Sequence, residues 1–572
     1  MNSEVSNIKV IRDVNDACNE LHKNSLIGVD LETTGLSPWK DHIAVMQFYG
    51  VDSDALAVVQ VVDGVVPQQI KDLFKERNKR YIVHNGVSFD LQFLHTHGVE
   101  WEGAEWYDTL VGETVVTGFG RRDVSVSLKS SLRRRLGMEI DKDIEHGHWD
   151  EDLSEKQVLY AANDVLSLPA LMRAQMSKAD ETKQTNALNM EMSLVPVFAK
   201  MCINGLPLRR DVLIKYVAEQ KEKADASHKK LIEILGDINY NSPVQLKRAL
   251  NSVGVHVIST AAAVLESLVV SGGKGGEIAA LILAYRGPAQ RMKMYQESWM
   301  DEHIIDNRVH PRFWQCGTDT GRVSSSDPNI QQVPKDGRRV FGHLEGYDIV
   351  NVDYSQIEVR IAASIANDQE LINTLASSDV HTSIAAAVFQ IPEDQVTVEQ
   401  RRLAKAQTFT LLFGGGPTLL QDYASRQGSQ IDMDATIKLC MRFFDTFKGL
   451  ASMKSRAVNI SHSPGPVVIR LPNGLRRILV GANKKLTTIL NTTVQGTAAV
   501  GLKYGLLEAN KRGLIGTYMG ATVHDEVVST VPKSESTEYG LDLADAMTIG
   551  MTRVLPNGVV RTKISKGDWW QE

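Results

Sequence analysis

The residues of this chain best suited to chemistry are acidic, and they form two sets that lie far apart in the sequence. The first set begins with Asp30 and Glu32, which end a short apolar run and stand two residues apart. Because alternate residues of a strand point to the same face, both carboxylates can reach one site. Asp90 follows, and the set ends with Tyr160 and Asp164, whose four-residue spacing places them on one face of a helix.

A single site for these four carboxylates needs cations, because like charges at close range repel one another. Mg²⁺ and Mn²⁺ prefer hard oxygen ligands of this kind. Two such ions about 3.5–4 Å apart activate a water molecule and stabilise the leaving oxygen in phosphodiester hydrolysis. The alternative is that each acid is an isolated surface or capping residue, but the order and spacing of the whole set favour a nuclease site.

The second acidic set lies in the C-terminal half, where residues 349–352 predict an apolar strand that ends at Asp353. Residues 517–531 predict two strands that fold back around His524 and Asp525, which places Asp525 at the tip of a hairpin. Two carboxylates from adjacent strands are the minimum for holding two Mg²⁺ ions against a triphosphate. The predicted chemistry is in-line attack of a 3′-hydroxyl on the α-phosphate with release of pyrophosphate.

A helix stripe between these acids has the right composition for a nucleotide site. Arg401, Lys405, Phe409 and Phe413 follow one another at four-residue steps, so they share one helix face that is cationic at its start and aromatic at its end. Cations beside a helix N-terminus suit a polyphosphate, and aromatic rings can stack on a base. The alternative is an amphipathic core helix with a solvated basic end, but a stripe without aliphatic residues makes a poor core face.

The elements that position these residues must belong to several domains, because 572 residues are too many for one compact core. We expect about four domains. Hydrophobic residues make up 43% and charged residues 23%, which excludes disordered and collagen-like chains. Without an apolar run of about 18 residues or a signal-peptide pattern, we expect no membrane span and a cytoplasmic protein. The four scattered cysteines also favour a reducing compartment.

The net charge of −6 speaks weakly against nucleic-acid binding, but the basic residues are clustered. Phosphate binding depends on local neutralisation, which a basic track provides.

The first third of the chain alternates strand-like with helix-like segments, at 26–30, 43–49, 81–84, 123–137 and 153–175. Ser154 with Gln157 predicts a capping box at the last of these, and 211–235 predicts a long exposed helix. The first third is therefore an α/β domain.

Two sets of motifs resemble known families. The segments DLETTGL, HNGVSFD and YAANDV resemble the three exonuclease motifs of the DEDD superfamily, in the variant with a tyrosine in the third motif. Asp108 falls where that superfamily often has an Asp-Thr pair, and we interpret it as structural support. Together with the C-terminal motifs, in matching order up to 566–569, the chain resembles family-A DNA polymerases, the group of bacterial DNA polymerase I and many phage replicative enzymes.

This resemblance implies a multidomain α/β protein, with a ribonuclease H-like exonuclease domain followed by a right-hand polymerase of thumb, palm and fingers. The expected boundaries are exonuclease 1–180, thumb 181–305, first palm segment 306–365, fingers 366–484 and second palm segment 485–572. A 5′-nuclease domain has no room before the exonuclease motifs, which favours a phage-type replicative enzyme. The expected function is template-directed extension of a primer with deoxynucleoside triphosphates, with 3′-5′ proofreading.

The resemblance also assigns roles to single residues. Asp353 and Asp525 match the metal-binding carboxylates of the polymerase site, and Glu526 matches the acidic neighbour of the second. Glu358 matches the residue that packs under the incoming sugar and disfavours a 2′-hydroxyl. The other nucleotide contacts are Arg401, Lys405, His381, Phe409 and Phe413. The expected DNA contacts are Arg322, Asn329, Gln331, Asn491, Gln495 and His524.

The implied cofactor is Mg²⁺, with Mn²⁺ as a substitute and two ions in each active site. The implied partners are primer–template DNA, deoxynucleoside triphosphates and a single-stranded 3′ end, for a monomer without a membrane; accessory replication proteins are not indicated. Phe413 stands where the family has tyrosine, and Thr408 and Thr410 also depart from its pattern. Three alternatives are a nuclease with an inactive polymerase half, a single-subunit RNA polymerase and a non-catalytic DNA-binding scaffold.

Overall fold

A six-stranded sheet organises the N-terminal third of the chain in the computed structural model. The structure describes residues 10–119, 124–139, 149–151, 153–377, 379–426, 429 and 431–571. The strands of this sheet are β1 (Val10–Ile11), β2 (Leu26–Thr33), β3 (Ile43–Gly50), β4 (Ala55–Gln60), β5 (Arg80–Val83) and β6 (Glu105–Asp108). Their spatial order is β1-β4-β3-β2-β5-β6, and β3 runs antiparallel to both neighbours while the other pairs are parallel.

Seven helices accompany this sheet in the described residues. They are α1 (Val14–Leu21), α2 (Gln68–Phe74), α3 (Asp90–Thr96), α4 (Thr109–Thr117), α5 (Leu128–Leu136), α6 (Glu155–Leu166) and α7 (Leu168–Glu181). The predicted capping box is confirmed, because Gln157 N donates to Ser154 Oγ at 3.3 Å and Ser154 N donates to Gln157 Oε1 at 3.0 Å. The helical segment predicted over 153–175 is confirmed as two helices, α6 and α7, which divide at Ser167; Pro169, which lacks an N–H, lies in the first turn of α7.

A helical region follows, in which two long antiparallel helices, α9 and α12, pack against each other. Its elements are α8 (Thr185–Asn204), β7 (Leu206–Pro207), α9 (Arg210–Leu235), α10 (Pro243–Ser252), α11 (Ala262–Ser271), α12 (Gly273–Met294) and α13 (Glu297–His303). The long helix predicted over 211–235 is confirmed as α9. The C-terminal end of α9 and the N-terminal half of α12 enclose a separate small core together with α10 and α11. This core includes Tyr240 and Leu265.

A four-stranded antiparallel sheet, here called the C-terminal sheet, has the order β14-β15-β11-β16. The strands of this half are β8 (Arg308–Val309), β9 (Arg312–Trp314), β10 (Ser324–Ser326), β11 (Tyr347–Tyr354), β12 (Val467–Arg470), β13 (Arg476–Leu479), β14 (Met519–Val523), β15 (Glu526–Pro532) and β16 (Thr562–Gly567). Tyr354 donates to the Met547 carbonyl at 2.6 Å, so the face that Tyr354 shares with Val350 is covered. Asp353 therefore lies on the opposite face.

Helices complete the C-terminal half. They are α14 (Ile357–Ala366), α15 (Gln369–Thr374), α16 (Val380–Phe389), α17 (Val398–Leu412), α18 (Pro417–Arg426), α19 (Met433–Thr446), α20 (Lys448–His462), α21 (Leu486–Lys511) and α22 (Ser536–Thr552). The helix that covers the C-terminal sheet is α22, which also packs on α21. In the described part of the chain, no helix combines the length and the apolar character needed to cross a membrane.

Candidate active sites

The first acidic set converges as predicted at the centre of the N-terminal sheet. Asp30 and Glu32 lie on β2, and Asp164 lies on α6, which packs against that strand. One carboxylate oxygen from each of the three lies within 4.8 Å of the others. Three carboxylates this close fit a cation with hard oxygen ligands, because without one their charges repel.

Asp90 joins this set from the first turn of α3 and is almost fully buried, with 1% of its surface exposed. Burial raises the pKa of Asp90, and the negative charges of Asp108 and Glu32 raise it further. Its Oδ1 has no hydrogen-bond partner among the described residues. A buried acceptor of this kind beside other carboxylates again fits a metal ligand.

Tyr160 lies one helical turn before Asp164, with its ring 6.1 Å from that of Trp149. Burial raises the pKa of Tyr160 above its ordinary value, and the carboxylates of Asp164, Glu32 and Asp30 contribute to the shift. The hydroxyl therefore stays protonated and can donate a hydrogen bond toward the acidic site. The structure thus brings all five predicted residues of the first set together.

Asp108 supports the site from behind, as we interpreted it from the sequence. Its Oδ1 caps α4 by accepting hydrogen bonds from Leu110 N at 2.9 Å and Val111 N at 3.4 Å. The same oxygen accepts from Asn85 N at 3.0 Å, which ties the loop before Asp90 to β6. Its role in the structure is therefore to fix backbone rather than to reach the three clustered carboxylates.

The second acidic set lies at the end of the C-terminal sheet where β11 ends and the hairpin between β14 and β15 turns. Asp353 is near the end of β11, and the hairpin between β14 and β15 has His524 and Asp525 at its tip, as predicted. Burial raises the pKa of Asp353, and the charges of Asp525 and Glu526 raise it further. Burial also raises the pKa of Asp525, against the lowering effect of Arg322. Two desolvated carboxylates that repel each other fit a shared cation site.

Glu526 differs from the two aspartates because its carboxylate is held by protein donors. It lies directly across from Asp353 in the sheet and is 5% exposed. Its Oε1 accepts from Trp570 Nε1 at 2.7 Å and Asn351 Nδ2 at 2.9 Å, while Arg338 lies 3.1 Å from Oε2. These three donors were missed in the sequence, and only Asn351 left a signal, since it is two residues before Asp353 on the same strand face.

The predicted helix stripe is confirmed in α17. Arg401 and Lys405 are exposed and Phe409 is half-buried, while the residues between them are mostly buried. Arg401 donates to both carboxylate oxygens of Asp379, at 2.9 and 3.3 Å. Phe413 forms the C-cap rather than the last turn, because Gly414 ends the helix with a positive φ of 85°.

His381 completes a cationic cluster with Arg401 and Lys405. Its ring lies 6.1 Å from that of Phe409, and neither ring nitrogen has a partner among the described residues. Burial, with the charges of Lys405 and Arg401, lowers the pKa of His381 to about 4. The cluster therefore joins two exposed cations to a buried neutral imidazole with unused hydrogen-bonding capacity.

The departures from the family pattern have structural consequences. Thr408 is buried and its hydroxyl donates to the Ala404 carbonyl at 2.7 Å, and Thr410 is also buried, so both lie away from the exposed stripe. Glu358 has a partner that does not require a tyrosine at position 413, because Arg322 Nη2 donates to its Oε1 at 2.5 Å. Each side chain of this ion pair is 19% exposed.

The predicted DNA contacts fall into two groups. In the first group, the charge of Arg322 lowers the pKa of Asp525. Asn491 and Gln495 lie one turn apart on α21, and both are half-buried. His524 is exposed at the hairpin tip with a positive φ of 58°. Asn329 and Gln331 instead make internal bonds: Asn329 Oδ1 accepts from Gln331 N at 3.0 Å, and Gln331 Nε2 donates to the Thr522 carbonyl at 3.1 Å.

Comparisons with known proteins agree with this geometry. Residues 210–572 match the family described as DNA polymerase family A, and residues 5–178 match the family described as 3'-5' exonuclease. DNA polymerase I of Aquifex aeolicus is 29% identical over 555 residues, covering 91% of this chain and 92% of that protein. DNA polymerase I of Streptococcus pneumoniae serotype 4 is 31% identical over 395 residues, which are 64% of this chain and 44% of that protein.

A solved structure shows the same fold. It is the POL domain of Pol1 from M. smegmatis in complex with DNA primer-template and dNTP, with a TM-score of 0.82 at 21% identity over 98% of this chain and 99% of that one. The predicted phage-type origin stays a prediction, since these relatives are bacterial and do not test it. The family match spans more than half of the sequence, and the chain belongs to DNA polymerase family A and carries a 3'-5' exonuclease domain.

Proposed function

We propose that this polymerase extends the 3′ end of a primer on a DNA template with deoxynucleoside triphosphates, and that its exonuclease site removes mispaired ends. The observation that carries the proposal is the closeness of Asp353, near the end of β11, to Asp525 at the neighbouring hairpin tip, where the two charges interact. A second acidic site with three clustered carboxylates lies in the exonuclease domain of the same chain. Two separate acidic sites support two opposed reactions at one DNA end.

Both catalytic domains of this family are metal-dependent, and the acidic cluster is in place. We propose Mg²⁺, with Mn²⁺ as a substitute, because the candidate ligands are all carboxylates. Asp353 and Asp525 would hold the ions of the polymerase site, and Asp30, Glu32, Asp90 and Asp164 those of the exonuclease site. When bound, such ions lower the barrier by stabilising negative charge on attacking and leaving oxygens.

In the polymerase site, the protein binds and orients the substrates. We propose that the cationic cluster holds the triphosphate while Phe409 packs on the sugar and base, with Phe413 next to them. Arg322 fixes Glu358, whose carboxylate under the sugar then disfavours a 2′-hydroxyl. Glu526 acts as a positioning residue, because its three donors hold it against β11 beside Asp353.

On the DNA side, we propose that Arg322, Asn491 and Gln495 contact the minor groove of primer–template. Acceptors there are common to all correct base pairs, so such contacts sense pair geometry without reading sequence. His524 lies at the hairpin tip next to Asp525 and would contact the primer terminus. We propose a structural role for Asn329 and Gln331, because their side chains already bond to the local backbone and to β14.

In the exonuclease site, Tyr160 keeps its proton and would orient the attacking water.

We propose the domain boundaries expected from the sequence, two of which, 180/181 and 365/366, fall one residue before the end of a helix, in α7 and in α14. Helices α8 to α13 fall within the thumb at 181–305, and β11 with all of α14 except its last residue, Ala366, falls within the first palm segment at 306–365. Helices α15 to α20 fall within the fingers at 366–484, and α21 with β14 to β16 falls within the second palm segment at 485–572.

The proposal is tested with a primer whose labelled 3′-terminal nucleotide is mismatched to the template. With Mg²⁺ and deoxynucleoside triphosphates, we expect the wild-type enzyme to release the labelled nucleotide and then extend the shortened primer. An Asp30→Ala variant should retain the label, and it should still extend a matched primer. Extension of the mismatched end by the wild-type enzyme without loss of label would contradict proofreading.

A further inference from the structure

Lys563 lies beside the polymerase carboxylates on the edge strand of the C-terminal sheet. Asp353 pairs with Lys563 in the register of β11 with β16, and with Glu526 in the register of β11 with β15. Directly opposed residues of antiparallel strands share a face, and their Cβ atoms lie about 4.5–5.5 Å apart. Lys563 therefore projects from the face of the sheet that carries Asp353, on the side away from Glu526.

The charge of Lys563 lowers the pKa of Asp353, but the ammonium group is not bound in place by the protein. The Lys563 side chain is exposed, and across the described ranges of the chain no hydrogen bond or ion pair holds it. Lys566, on the opposite face of the same strand, donates to the Thr537 hydroxyl at 2.6 Å and so has a structural contact. An exposed cation that makes no hydrogen bond or ion pair with the described residues, next to paired carboxylates, is suited to an anionic ligand.

The position of Lys563 indicates which anion it meets. Two residues earlier in the chain, the Arg561 guanidinium donates to the Ala376 carbonyl, so this end of the sheet contacts the segment that leads to Asp379. Asp379 is the N-cap of α16 and the partner of Arg401 in the cationic cluster. His524 lies across the sheet, two strands away from β16. Lys563 is therefore on the triphosphate side of Asp353 rather than on the primer side.

We propose that Lys563 binds the triphosphate of the incoming nucleotide and the leaving pyrophosphate, from the edge of the sheet that faces the cationic cluster. This inference rests on the polymerase function proposed above and adds a contact from the C-terminal strand. An ammonium group offers three donors and a compact charge, which suit terminal phosphate oxygens. It would also balance the negative charge that accumulates beside Asp353 when the polyphosphate is bound.

The test compares Lys563→Gln with Lys566→Gln, which removes the same charge from the other face of the same strand. Single-nucleotide incorporation gives KM for the deoxynucleoside triphosphate and kcat, and inorganic pyrophosphate is titrated as a product inhibitor. For Lys563→Gln we expect KM and the inhibition constant of pyrophosphate each to rise on the order of tenfold. We expect kcat to change much less, and Lys563→Arg to restore most of the binding. Lys566→Gln should behave like the wild-type enzyme.

The results distinguish a failure of the proposed polymerase function from a failure of the inference about Lys563. Wild-type enzyme that does not extend a primer contradicts the proposed function and this inference with it. Active wild-type enzyme with unchanged constants in Lys563→Gln overturns the inference alone. Weaker primer–template binding with an unchanged pyrophosphate constant would show a DNA contact instead. A shifted Mg²⁺ requirement with an unchanged pyrophosphate constant would show that Lys563 acts only through Asp353.

Discussion

Replacing Asp379 with asparagine should make the enzyme bind its nucleotide more tightly. In the structure Arg401 is held by Asp379 at 2.9 and 3.3 Å, so a triphosphate must compete with a carboxylate for this guanidinium. Asparagine keeps an acceptor for the α16 cap, where Thr382 N donates to Asp379 Oδ1 at 3.3 Å, but it removes the competing charge.

The size of the effect follows from the exposure of the ion pair. The side chains of Arg401 and Asp379 are 47% and 45% exposed, and ion pairs this exposed contribute about 0.2–1 kcal/mol. Loss of the pair should therefore lower KM for the nucleotide by about 1.4- to 5-fold. Since the Arg401 guanidinium lowers the pKa of Asp379 to about 2, the carboxylate is ionised from pH 6 to 9. The gain in affinity should not depend on pH in that range.

The assay is steady-state incorporation of one nucleotide, with Asp432→Asn as the control. Asp432 is an exposed N-cap of α19, where it accepts from Ala435 N at 2.7 Å, and the described residues include no ion-pair partner for it. We expect the control to leave KM unchanged. An unchanged or raised KM in Asp379→Asn, with folding intact, would refute competition between the carboxylate and the triphosphate.

Two other substitutions test the remaining contacts. Phe413→Tyr adds a hydroxyl near the nucleotide site, and one neutral hydrogen bond contributes about 0.5–1.5 kcal/mol. The ratio of kcat/KM for deoxynucleotides to kcat/KM for ribonucleotides should therefore change by about 2- to 12-fold. The same ratio in the variant and the wild-type enzyme would exclude a role for that position in sugar selection. Lys503→Met should lower the free energy of unfolding by about 3–5 kcal/mol in denaturant titrations, because it strands Glu191 in the core. In that pair Lys503 Nζ lies 2.5 Å from Glu191 Oε1, and the two side chains are 1% and 0% exposed. A fall in the free energy of unfolding of less than about 1 kcal/mol, the contribution of one hydrogen bond, would contradict a tight ion pair.

Local spacing was sufficient to predict which acidic residues of one segment share a face. Asp30 and Glu32 share a strand face, and Tyr160 and Asp164 share a helix face, so each pair is fixed by a few neighbouring residues. The turn around Asp525 is likewise a short-range feature. Resemblance to a family then supplied the relation between segments that local spacing cannot provide.

Contacts between distant strands could not be predicted in this way. The pairing of Asp353 with Lys563 depends on the register of two strands about 200 residues apart in the chain, and a shift of one residue would reverse the faces. Two of the three donors that hold Glu526, Trp570 and Arg338, come from the far C-terminus and from the segment before β11. The buried ion pair of Glu191 and Lys503 was equally invisible, because a charged residue in a helix normally predicts an exposed position.

The most direct measurement of the central claim compares Asp353→Ala with Asp30→Ala on one matched primer–template. Each purified variant is assayed for primer extension with deoxynucleoside triphosphates and for 3′-5′ shortening without them, and circular dichroism checks that it is folded. We expect Asp353→Ala to lose extension and keep shortening, and Asp30→Ala to do the reverse. A folded variant that loses both activities would contradict two separate active sites in this chain.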